Sequence, residues 1–273
     1  MPMHFQQVVV AVDGSEEAER ALGVAAGMAA QAGLPLLLVA QIAAERQRST
    51  AEATLRQAAD GVRRGSVDRH VVVAEGTSAG LVEVLEERPH SLMCMSTHAR
   101  SAAGQLLLGS VAVEVLRHSP APVVLVGPNA GQPPDEVRYE QVIACVDESP
   151  AAERVLPVVR AIADQWGLVS LVAEVRAVGA DGATPTRLVS MAERLDGLGR
   201  VDWDVLWSDD PVEALDRYVE GRKGSLLALA TEAPRIGTRL REGSTTVELA
   251  RRAHCPLVAV GPACRTADLE VGT

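Results

Sequence analysis

Two aspartates close two short apolar runs. VVVAVDGS ends on Asp13, Gly14 and Ser15, and VIACVDES ends on Asp147, Glu148 and Ser149. A carboxylate just past a buried strand can accept a hydrogen bond from a ribose hydroxyl, and it can equally cap the helix that follows. Two other places offer the opposite polarity. Gly109-Ser110 and Gly243-Ser244 each open a helical stretch. The first turn of a helix leaves N–H groups unpaired at the positive end of its dipole, which suits an anion. The glycine lets a phosphate approach the backbone, and the serine hydroxyl can touch that phosphate or cap its own helix. Gly-Ser is also an ordinary helix start, so both readings stand.

Other chemistries find little support. Lys223, the only lysine, lies in GRKGS and not in a G-x-x-x-x-G-K-[ST] loop. There is no G-x-G-x-x-G after a strand, no H-E-x-x-H, no Cys/His metal set and no G-x-S-x-G elbow. No residue stands out as a catalytic base, and an enzyme is not expected. The 273 residues carry a net charge of −10 and only 2% aromatics, the reverse of the basic, aromatic-studded groove that grips single-stranded nucleic acid. No run approaches the about 18 apolar residues of a membrane span, and MPMHFQQVVVAVDG lacks the basic flank of a signal peptide. Cys94, Cys145, Cys255 and Cys264 form no C-x-x-C pair, so free thiols in a cytoplasmic protein are expected, with Cys94 and Cys145 as inert strand residues.

The candidate residues recur at a constant offset of 134. Asp147 falls on Asp13, Ser149 on Ser15, Gly243 on Gly109, Ser244 on Ser110, Gly261 on Gly127 and Pro262 on Pro128. Leu108–Pro128 and Glu242–Pro262 share ten identities in twenty-one positions. Such a long repeat implies a duplicated domain, each copy large enough for its own core. The expected domains are residues 1–134 and 135–273, joined by the polar, proline-containing segment NAGQPPDEVRYE, Asn129–Glu140.

Periodicity supplies the elements that must position these residues. In the first copy it predicts strands at Val8–Val12, Leu36–Ile42, His70–Ala74, Ser91–Ser96 and Val123–Val126. Helices are predicted at Glu16–Ala32, Ala51–Arg64, Gly80–Glu87 and Ser110–His118. In the second it predicts strands at Val142–Val146, Val169–Val175, Val201–Trp207, Leu226–Ala230 and Leu257–Val260. The helices there are Ala151–Trp166, Arg187–Leu198, Pro211–Val219 and Ser244–Ala253. Strict alternation implies an α/β fold with a parallel, doubly wound sheet, and ligands in such sheets sit beyond the carboxyl ends of the strands where the order reverses. That crevice is framed by Asp13, the end of the second strand and the loop Thr97–Gly109.

A strand ending in STHARS followed by LLLGSVAVEVLRHSPAPVVLV resembles the universal stress protein (UspA-like) family, as does a first strand ending in Val-Asp-Gly-Ser. The resemblance covers both halves and implies a tandem, Rossmann-like protein of two five-stranded units, strand order 3-2-1-4-5, acting in stress response. ATP-binding members of that family carry Gly-x-x-Gly, nine residues, then Gly-Ser or Gly-Thr. Here the spacing holds twice, as Ser96, Ala99 and Gly109-Ser110, then as Ala230, Ala233 and Gly243-Ser244. The first two glycines are replaced both times. Asp13 and Asp147 match the nucleoside-contacting aspartate, and Gln41 and Val175 match the strand-two position whose backbone meets adenine. His98 and Arg100 either meet a phosphate or form a solvated loop. Gly14, Ser15, Met95, Val111, Ser149 and Thr245 complete the candidate nucleotide site by adjacency. Glu232, Pro234 and Asp210 make the second copy less hospitable to a triphosphate.

Three functions follow. The resemblance implies a non-catalytic, ATP-binding regulatory module, with the nucleotide chiefly in the first copy and Mg²⁺ entering only with it. The lost glycines suit a nucleotide-free scaffold of the same fold. A slow nucleotide hydrolase is the third, and the lack of a base speaks against it. PVVLVGP and PLVAVGP leave an apolar strand at one sheet edge of each copy. Open edges pair, so Val123–Val126 is expected to lie against Leu257–Val260 as an internal pseudo-dimer, with a homodimer of chains also open.

Overall fold

The computed structural model describes residues 4–76, 78–97, 109–130, 138–180, 186–195, 201–232 and 245–269. The first half contains β1 (Gln7–Ala11), α1 (Glu16–Ala32), β2 (Leu36–Ile42), α2 (Arg48–Asp60), β3 (Val67–Val73), α3 (Ala79–Glu87), β4 (Ser91–Ser96), α4 (Ser110–His118) and β5 (Val123–Val126). The second contains β6 (Gln141–Val146), α5 (Val155–Trp166), β7 (Val169–Arg176), α6 (Thr186–Leu195), β8 (Val201–Trp207), α7 (Pro211–Glu220), β9 (Ser225–Ala230), α8 (Thr245–Arg252) and β10 (Leu257–Val260). The expected boundary between residues 134 and 135 lies outside the described residues.

One ten-stranded sheet runs β3-β2-β1-β4-β5-β10-β9-β6-β7-β8, so each half has the order 3-2-1-4-5. All pairs within a half are parallel, and every register repeats at the offset of 134: Val8 faces Leu36 as Val142 faces Ser170, and Met93 faces Val123 as Leu227 faces Leu257. Even a side-chain bond is copied. Gln7 Nε2 donates to Ser91 Oγ at 2.9 Å, and Gln141 Nε2 to Ser225 Oγ at 2.8 Å. Because side chains alternate across the sheet, Val8 and Val10 pack under α1 and α2 while Val9 packs under α3 and α4.

The halves meet where β5 and β10 pair antiparallel, Leu125 opposite Leu257 and Val123 opposite Ala259. The surrounding contacts are reciprocal. Gln165 exchanges two bonds with the backbone of Phe5, both 2.8 Å, and Gln31 exchanges two with Tyr139, at 2.8 and 2.9 Å. A Cβ on Gly127 would stand 2.2 Å from the Ala250 carbonyl oxygen, and one on Gly261 would stand 1.9 Å from that of Leu116. The Gly-Pro that ends each copy of the repeat is therefore a packing requirement: the last helix of one half crosses too close to the other half for any side chain.

Several boundaries differ from the sequence expectation. β1 and β6 run one residue toward the N-terminus of the predicted start. β3 begins at Val67, three residues before the predicted start, because an edge strand tolerates the polar Asp68 and Arg69 that break an apolar run. α2 starts at Arg48, after a 3₁₀ turn at Glu45–Gln47 in which Gln47 Oε1 accepts from the Ala43 and Ala44 amides, and it stops at Asp60 rather than Arg64. The single helix expected at Ala151–Trp166 is a 3₁₀ turn, Pro150–Arg154, followed by α5. Pro157 falls in the first turn of α5, where its missing N–H has no helical partner to lose.

Candidate functional site

Asp13 follows β1 and is exposed at the strands' carboxyl end, beside the end of β4. Its Oδ1 accepts from Ser15 N at 2.9 Å and from Ser15 Oγ at 2.6 Å. The capping role expected as one reading of Asp13 belongs instead to Ser15, whose Oγ accepts from Ala18 N at 3.1 Å. Gly14 makes the turn by adopting φ +80, a left-handed backbone that glycine enters without strain. The carboxylate is thus held by one oxygen. Among the described residues, Oδ2 has no partner.

Across the crevice, the Gly109 amide donates to Thr97 O at 2.8 Å and its carbonyl accepts from Val113 N at 3.0 Å. Gly109 is the N-cap of α4 and Ser110 its first residue, with no side-chain capping bond. The expected capping role of the Ser110 hydroxyl is not observed, which leaves that exposed hydroxyl and the first-turn amides of Ser110, Val111 and Ala112 outside the helical ladder. Met95 is buried and Ser96 half-buried at the end of β4. His98, Ala99 and Arg100 lie outside the described residues, so their place in the crevice is not part of this geometry.

Gln41, marked for its backbone, is more informative in its side chain. Its Nε2 donates to Gly76 O at 2.9 Å and its Oε1 accepts from Leu81 N at 3.2 Å, so it clasps the entrance of α3 to β2. Nothing local in the sequence signals this, because the partners lie 35 and 40 residues away.

The second half keeps the scaffold and changes the crevice. Asp147 Oδ1 accepts from Ser149 N at 2.9 Å, as Asp13 does from Ser15. Glu148 stands where Gly14 does, and no described non-glycine residue has positive φ. The turn differs accordingly: Ser149 makes no side-chain cap, and a 3₁₀ turn replaces the start of the helix. Arg187 then enters from α6. Its Nη1 donates to Asp147 O at 2.7 Å and its Nη2 to Ser149 O at 2.9 Å. Buried Glu174 pairs with Arg176 at 3.0 Å beside it. A cavity of about 240 Å³ remains among these charges. Sequence reasoning passed over Arg187, Glu174 and Arg176. Their signal was an offset comparison, since the first half has Ala53, Ala40 and Ile42 there.

Val175 is half-buried and makes none of the bonds of Gln41. Its absent clasp is replaced by Asp210, whose Oδ1 accepts from Val212 N and Glu213 N at 2.9 and 3.0 Å. Asp210, expected as surplus negative charge, is an N-cap for α7. Ala230 ends β9 and Thr245 begins α8. Ala233, Gly243 and Ser244 lie outside the described residues.

The four cysteines are free. Burial pushes the Cys94 and Cys145 thiols well above their ordinary range and that of Cys255 up to about 12, which disfavours thiolate chemistry. Among the described residues no group of three or more His, Cys, Asp or Glu side chains could hold a metal, and no helix is long and apolar enough to cross a membrane.

With this geometry in place, residues 4–127 match the model of the Universal stress protein family. The first half thus resembles a universal stress protein domain. Among solved structures, a universal stress protein from Archaeoglobus fulgidus DSM 4304 is 20% identical, with a TM-score of 0.72 over 94% of this chain and 98% of its own. A protein of unknown function from Pseudomonas aeruginosa PAO1 is 14% identical, with a TM-score of 0.62 over 97% and 95%. Both likenesses run through the two halves and are likenesses of fold. A universal stress protein solved in complex with cAMP is 27% identical over 44% of this chain and 96% of its own, with a TM-score of 0.38. The half that matches this family carries Asp13 and the start of α4, and a second unit of the same topology carries the charged cavity.

Proposed function

We propose that the chain is a tandem universal stress protein whose first half binds an adenine nucleotide, ATP, as a regulatory ligand, while its second half is a nucleotide-free scaffold. The reading rests on one observation above the others. Asp13 is exposed and oriented by Ser15 with one carboxylate oxygen to spare, and β4, the strand beside β1, leads to the free amides at the start of α4. A ribose hydroxyl would donate to Asp13, the phosphates would take the amides of Ser110 and Val111, and Mg²⁺ would arrive with the nucleotide. In the second half Arg187 takes the ground around Asp147. No described side chain in the first crevice is set to activate water, so turnover is not part of the proposal.

Calorimetric titration of the full chain with Mg-ATP tests it. One nucleotide per chain is expected. Asp13→Ala removes a hydrogen bond to a charged group, worth about 1.5–3 kcal/mol, and should weaken binding roughly 10- to 100-fold. Asp147→Ala should leave binding unchanged. No detectable binding, or equal losses in the two variants, refutes the assignment. Steady phosphate release that vanishes in Asp13→Ala would refute its non-catalytic part.

A further inference from the structure

A further cavity lies elsewhere. It is a groove of about 910 Å³ between α1 and α2, on the sheet face opposite α4. Ligand pockets are usually roughly 300–1,000 Å³. Its α1 wall runs from Ser15 to Gln31, so at about 1.5 Å per residue it is roughly 24 Å long. The α1 wall is small and apolar, with Ala18, Ala26 and Ala30, the α2 wall sets Thr54 and Gln57 beside Ala58, and Trp166 of the second half closes one end.

The duplication provides an internal control. At the offset of 134, Thr54, Gln57 and Asp60 of α2 correspond to Leu188, Met191 and Arg194 of α6, and Ala26 corresponds to Arg160. Leu188 and Met191 are buried between α6 and α5. Arg194 pairs with Glu153 at 2.7 Å, and Arg160 donates to the Arg194 carbonyl at 3.4 Å. The fold therefore does not require the gap. Unfilled space between packed helices forfeits dispersion contacts, and only the first half leaves it.

Charge divides the groove. Glu19 lies near the end where α1 begins, in a turn that also holds Glu16 and Glu17. Arg63, Arg64 and Arg138 line the end where α1 finishes. Among the described residues neither Arg64 nor Arg138 is in an ion pair. The occupant that fits is long, apolar in its body and anionic at one end. The only aromatic side chain in the lining is the buried Trp166, so base stacking has no open platform. We infer that this groove binds a long-chain fatty acid, its tail along the Ala-rich wall and its carboxylate among Arg63, Arg64 and Arg138. Gly14 and Ser15 line the end of this groove nearest Asp13, so the two sites adjoin, but the groove does not depend on the nucleotide reading.

The test is calorimetric titration of the full chain with laurate below its micellar concentration, with dodecylammonium as the charge-reversed probe. One laurate per chain should bind, and dodecylammonium should bind at least tenfold more weakly. Thr54→Leu/Gln57→Met, which installs the side chains of the second half, should abolish laurate binding. Arg64→Glu/Arg138→Glu changes only exposed residues and should weaken it at least tenfold, which keeps the test decisive if the filled variant folds poorly. The inference is overturned by no laurate binding, by several laurates per chain, by equal binding of the two probes, or by undiminished binding in the arginine variant. Mg-ATP titrations of the same variants should match the unaltered chain, so failure here and failure at Asp13 are distinguishable.

Discussion

At the seam between the halves, Gln31 and Gln165 make the same pair of bonds to opposite partners, and Gly127 and Gly261 meet opposite helices at the same closeness. At the crevices, Gln41 and Val175 occupy one position and do different work, and Gly14 and Glu148 shape different turns. The seam joins two equivalent surfaces, so a change on one side meets an unchanged partner and is penalised. The crevices touch only their own half, so each is free to change alone. The molecule has kept what is shared and let diverge what is private.

The seam should break first and hardest. Gly127→Ala and Gly261→Ala each push a Cβ into a backbone carbonyl, and overpacking of this kind costs about 3 kcal/mol. Urea unfolding should show similar losses for the two variants. A loss at one glycine and none at the other would mean that the seam is not symmetrical.

A smaller effect tests the crevices. Gln41→Val, which imports the residue of the second half, leaves Leu81 N and Gly76 O without their clasp and should cost about 1–2 kcal/mol. Asp210→Ala should cost about 1 kcal/mol by uncapping α7. The reciprocal Val175→Gln should be nearly neutral, because Asp210 already serves that helix. A large effect of Val175→Gln would show that the two devices are not alternatives.

The smallest effect concerns pH. The Arg194 guanidinium, and behind it Arg187, holds the Glu153 carboxyl below the usual carboxylate range. A carboxyl lowered by folding contributes stability at neutral pH, and that contribution is lost as pH falls through its folded-state value. Both partners are well exposed, so Glu153→Gln should cost no more than about 1 kcal/mol at pH 7 and less as the solution is acidified. A cost that grows on acidification would reverse the assignment. Thermal melts from pH 7 to pH 3 measure it.

Much of the fold was legible because strands buried on both faces must be apolar along their length. Leu36–Ile42, Ser91–Ser96 and Val123–Val126 were bounded to the residue for that reason. The edge strand β3 was shortened in the reading because an edge needs no such continuity. At the site, the sequence brought Asp13 and Gly109-Ser110 together through topology, but it could not tell which of Asp13 and Ser15 caps α1. Both residue types cap helices, and the choice depends on the φ of Gly14.

The sequence alone determined the duplication, its offset and the alternation of strands and helices, since these follow from residue order and local periodicity. Only the tertiary structure decided that Arg187 lies against Asp147 and that Gln41 holds α3. It also decided that α1 and α2 stand apart where α5 and α6 close. Those outcomes depend on side chains that meet partners 35 to 40 residues away in the chain, or across a gap between helices, and neither leaves a mark on the pattern of any single segment.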